Sequence, residues 1–72
     1  MTEAHSQLDK LIRMANQIAV GFDGLPEERA VHEAADHIRA FWTPKMRREI
    51  AAYAAADGAR LASRARAAVA KI

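Results

Sequence analysis

His37-Ile38-Arg39-Ala40-Phe41-Trp42-Thr43-Pro44-Lys45-Met46-Arg47-Arg48 is the stretch on which the fold turns. Thr43 precedes Pro44, and the proline ring drives the residue before it out of the α region into extended backbone. A helix arriving from the left therefore stops near Trp42. Thr43 is also a good N-cap and Pro44 a good first helical residue, so a new helix opens at once. The chain turns a rigid helix–proline–helix corner here, and the corner holds its single Trp and one of its two Phe residues.

Upstream, the arriving helix is expected over about residues 26–42. Pro26 suits its first position, Glu27 and Glu28 fall in the first turn where the helix dipole favours acids, and Val31, Ala34, Ala35, Ile38, Phe41 and Trp42 form its stripe. Phe22-Asp23-Gly24-Leu25 is a tight connection whose Phe and Leu plug the end of the core. Before it, Leu8, Leu11, Ile12, Ala15, Ile18 and Ala19 recur with helical period over about 6–20. Ser6 reads as that helix's N-cap with Asp9 in the capping-box position, Asp9 and Arg13 as an i,i+4 pair, and Gly21 as a left-handed C′ residue.

Downstream, the helix over about 44–57 has only Met46, Ile50 and Tyr53 as larger apolar residues; the rest of its apolar surface is alanine, which lets another backbone come close. Gly58 ends it. A last, short helix over about 63–72 carries Ala65, Ala68, Val69 and Ile72 on one face, with Leu61 ahead of it as a staple. Strand alternation is lacking throughout. The fold class is therefore all-α: residues 1–72 as a single domain, a small compact bundle of three to four short helices.

Composition narrows the function. Among 72 residues, alanine supplies 18 of the hydrophobic ones and only 19 are larger, so the core is thin. The absence of cysteine excludes disulfides, thiolate zinc, iron–sulfur ligation and a Cys nucleophile. No apolar run approaches the roughly 20 residues needed to span a bilayer, and the first residues lack the basic and apolar regions of a leader, so a soluble, cytoplasmic protein is expected. His32 and His37 lie on different helix faces; Glu33 and His37 have i,i+4 spacing, but two ligands do not make a metal site, and a solvent-facing ion pair is expected instead. There is no Ser/His/Asp order and no glycine-rich phosphate loop, so neither catalytic nor metal-binding residues are assigned and an enzyme is not expected.

Charge is uneven. Residues 1–36 carry three cations and seven acids, residues 37–72 eight cations and two acids. If the halves form different faces, the basic one can meet an acidic partner, a phosphorylated ligand or nucleic acid; a solvated surface is the plain alternative. Lys45, Arg47 and Arg48 crowd the first turn of the third helix, where the dipole prefers acids. Three cations beside free backbone N–H groups suit an anion, either a partner carboxylate or a phosphate. Ile38 and Phe41 read as core, whereas Trp42 and the arginines are residue types enriched at interfaces.

At these residues the chain resembles the delta subunit of the cytoplasmic, NAD-dependent, molybdenum-containing formate dehydrogenases. The resemblance runs through residues 11–19 (Leu11-Ile12-Arg13-Met14-Ala15-Asn16-Gln17-Ile18-Ala19), Phe22, the string His37-Ile38-Arg39-x-Phe41-Trp42-x-Pro44-x-Met46-Arg47, and Ala65-x-Ala67-Ala68-Val69. It implies a non-catalytic subunit docked on an alpha subunit within an alpha-beta-gamma-delta complex. The alpha subunit would carry bis-molybdopterin guanine dinucleotide and iron–sulfur clusters, the beta and gamma subunits FMN, NAD and further clusters, and this chain no cofactor. It also leads one to expect Ser-Pro at the start of the last helix, where Leu61-Ala62-Ser63-Arg64 has no proline.

The expected function is thus an accessory subunit that supports assembly or stability of the cofactor-loaded enzyme, with His37, Arg39, Trp42, Pro44, Lys45, Met46, Arg47 and Arg48 as the partner-binding set. One alternative is a maturation factor whose Lys45, Arg47 and Arg48 hold a nucleotide or the phosphates of the molybdenum cofactor. Another is a small basic nucleic-acid-binding module, although the third helix offers few groups to read bases. No contact with a membrane or with nucleic acid is expected.

Overall fold

Small side chains set how closely the helices approach. In a computed structural model that describes the backbone of residues 3–72 and the side chains of residues 7–72, four helices form: α1 (Glu3–Gly21), α2 (Glu27–Phe41), α3 (Pro44–Ala56) and α4 (Ser63–Val69). The described residues contain no strand, and the four helices make the expected all-α bundle. Ala34 and Ala35 of α2 and Ala68 of α4 are each at most 1% exposed and pack in one cluster, so these two helices meet largely at alanine. Such contacts bury little apolar area per residue but cost almost no side-chain entropy.

The larger residues gather into one main cluster. Leu11 and Ile12 of α1, Ile38 and Trp42, Ile50 of α3, and Leu61 and Val69 pack together, with Leu11, Ile38 and Ile50 fully enclosed. A satellite of Val31, Ala34, Ala35 and Ala68 lies between α2 and α4. Although α4 spans only seven residues, it packs on α1, α2 and α3 alike. It is the piece that closes the core, since the proline corner splays α2 and α3 apart.

Several local readings are corrected. Ser6 lies inside α1 rather than at its start, and its side chain is outside the described residues. Pro26 is the N-cap of α2 and Glu27 its first residue, so the helix begins one position later. Gly21 is the last residue of α1 and does not take a left-handed conformation; among the described glycines only Gly58 does, at φ +68°. α1 instead ends through tightened turn bonds, Phe22 N–H to the Ala19 carbonyl (3.3 Å) and Asp23 N–H to the Val20 carbonyl (3.0 Å). The Thr43–Pro44 corner forms as expected: Thr43 is extended and its Oγ1 accepts from the Met46 N–H at 3.1 Å.

The missing proline before α4 is answered from across the bundle. The Asn16 side chain donates to the Arg60 carbonyl (3.1 Å) and accepts from the Ala62 N–H (2.9 Å), which fixes the segment leading into α4.

Candidate functional site

At the corner Trp42 enters the core and Phe41 does not. Trp42 caps α2 in extended conformation (φ −94°, ψ 143°) and turns its indole into the main cluster, 5% exposed. Phe41, expected in the core, is 72% exposed. Phe41 is the last residue of α2, whereas Trp42 leaves the helix in extended conformation, and that change of backbone turns the indole inward.

Phe41 stands at the lip of an open groove of about 480 Å³. α1 lines it with Met14, Gln17 and Ile18, the end of α2 with His37, Phe41 and Trp42, and α3 with Met46. The His37 and Phe41 rings lie 4.7 Å apart, tilted by 40°. No carboxylate lines the groove. Its walls include the i,i+4 pairs Met14–Ile18 on α1 and His37–Phe41 on α2; that spacing marks each pair as one helix face, and the packing of α1 on α2 brings the two faces together.

The predicted partner-binding residues fall into separate places. His37, Trp42 and Met46 share the groove. Pro44, Arg47 and Arg48 line a second cavity of about 280 Å³ with Ala51 and Ile72. Lys45 is exposed in the first turn of α3. Arg39 lines neither cavity: it pairs with Asp36 and donates to the Lys71 carbonyl at 2.8 Å, holding the residues after α4 against α2. Glu33 and His37 do not form the expected ion pair. Glu33 pairs with Arg29 (3.6 Å), and Asp36 takes His32 (3.2 Å) as well as Arg39. Among the described residues no group of three or more His, Asp or Glu side chains could hold a metal ion.

The charge asymmetry does not divide the molecule into an acidic and a basic face. Arg60 pairs with Asp9 (2.6 Å). Arg64 donates to Asp23 (2.8 Å), to Glu27 (2.9 Å) and to the Ala19 carbonyl (2.8 Å). Hydrogen bonding to Arg64 holds the Glu27 carboxyl below the usual carboxylate range, and both Arg64 and Arg60 are raised above the ordinary guanidinium value by their acids. The basic half is thus tied to the acidic half. Lys45, Arg47 and Arg48 have no acidic partner among the described residues, as is also true of Lys10, Arg13, Arg66 and Lys71, but these three cluster in one helical turn.

No helix of the described residues is long and apolar enough to cross a membrane. No curated protein and no solved structure matches the chain. A family model, the NADH-dependent formate dehydrogenase delta subunit FdsD, matches residues 10–69. That span takes in both walls of the groove, the proline corner and the whole of α4, and the chain belongs to the FdsD family of formate dehydrogenase delta subunits.

Proposed function

We propose that this chain is a non-catalytic accessory subunit that docks on the catalytic alpha subunit of a cytoplasmic, molybdenum-dependent, NAD-linked formate dehydrogenase and supports assembly or stability of the cofactor-loaded complex. Membership of a delta-subunit family supports a place in a formate dehydrogenase complex. The observation that carries the docking reading is Phe41: an aromatic ring 72% exposed, at the lip of an apolar groove that no acid interrupts. Aromatic residues beside such grooves are frequent anchors of protein interfaces, and a central anchor typically contributes about 2 kcal/mol or more. Met14, Ile18 and Met46 supply flexible apolar walls that adapt to an incoming side chain. Trp42 supports the groove from within the core.

Copurification of the alpha subunit with tagged Phe41→Ala tests the reading. The expected result is binding weakened by about 30-fold, the equivalent of a 2 kcal/mol anchor, while the variant melts where the parent does. Undiminished copurification with Phe41→Ala overturns it. Phe41 is a cleaner probe than Trp42, whose removal would also open the core.

A further inference from the structure

The unpaired cations of α3 call for a separate explanation. Arg39, Arg60 and Arg64 each hold a carboxylate, and Arg66 donates to the Gly58 carbonyl at 2.9 Å. Arg47 is different. Its side chain is half-buried and lines the cavity of about 280 Å³ beside Arg48, with no acid among the lining residues. Glu49, two positions along, points to nearly the opposite side of α3 and does not line this cavity. Pro44, Ala51 and Ile72 complete the cavity walls, and an apolar surround strengthens any ion pair formed inside.

We propose that this cavity receives a carboxylate from an acidic segment of the partner subunit, an Asp or Glu side chain held by Arg47 and Arg48. The proposal rests on the docking reading above. Two features favour a carboxylate. Two guanidinium groups match a planar carboxylate by paired N–H donation. Met46, in the same first turn of α3, lines the apolar groove, so one partner surface can seat an apolar side chain there and an acid beside it.

The test titrates the full chain into formate dehydrogenase complex purified without it, at low and at physiological salt. The parent chain is expected to bind and to weaken with salt. Arg47→Gln/Arg48→Gln is expected to lose about tenfold at low salt and most of the salt dependence. Arg48→Gln alone, at an exposed position, should show a smaller loss without disturbing any buried atom. Parent-like affinity and salt dependence in the double variant overturn the carboxylate site while leaving docking intact. Failure of the parent chain to bind overturns docking, and this proposal with it. Inorganic pyrophosphate is added to the isolated chain as the competing probe. No shift in melting temperature is expected; a shift abolished by the double variant would assign the cavity to phosphate and overturn the proposal.

Discussion

Arg64 does from across the bundle what an absent local device would have done at the end of α1. α1 has no left-handed glycine there. The Arg64 guanidinium, its side chain 19% exposed, donates to the Ala19 carbonyl and pairs with Asp23 and Glu27 in the segment that follows. A cation in the first turn of α4 opposes the dipole, but the two carboxylates compensate it. Because Glu27's folded pKa is lowered, its contribution to stability is present above the unfolded carboxylate pKa and is lost as pH falls through the folded value. Acid melting between neutral pH and the low carboxylate range should therefore fall less steeply for Glu27→Gln than for the parent; parallel curves would deny the linkage. This role of Arg64 was not legible in the sequence, since its partners lie 37–45 positions away. The choice between Phe41 and Trp42 was equally hidden. Both sit on the apolar side of one stripe, and only the backbone turn before Pro44 decides which ring goes in.

At the scale of elements, the sequence was legible wherever a stop or start is local. Thr43–Pro44 and Gly58 punctuate the chain where expected, and the helical ends agree to within a few positions. It misled at Gly21, where turn bonds and Arg64 replace the expected glycine cap, and at the end of α4, which stops at Val69. Gly58 is the glycine whose freedom the fold uses. It sits at φ +68°, its N–H bonds the Tyr53 carbonyl (3.1 Å), and a Cβ there would lie 3.0 Å from the Ala54 carbonyl oxygen and 3.3 Å from Arg66 Nε. Gly58→Ala should cost about 1–2 kcal/mol from backbone conformation alone, with the crowding added, measured by chemical denaturation. An unchanged midpoint would mean that the α3–α4 connection adopts another path.

For the molecule as a whole, the thin core sets how much change it can bear. A domain of this size typically has only about 3–5 kcal/mol from its core. Trp42→Ala removes the largest side chain of the main cluster and should cost about 3–5 kcal/mol, enough to unfold most of the population at ambient temperature. Phe41→Ala should change stability by less than about 0.5 kcal/mol, because the ring contributes to the surface and not to the interior. Circular dichroism melts of the two variants check this pair; equal destabilisation would refute the division of labour between neighbouring rings. What composition makes plain is the scarcity of large apolar residues. Which of them are left outside depends on the corner geometry.

The position of α4 in chain order has a consequence for biosynthesis. Its contacts with α1 include Asn16 to Ala62, 46 positions apart, and Arg64 to Ala19, 45 apart. In a nascent chain α1, α2 and α3 can already meet through Leu11, Ile38 and Ile50, but the core stays open on one side until α4 has left the exit tunnel. Closure of the core thus follows translation of residues 63–69, and any engagement with a larger subunit that needs the closed core must wait for it.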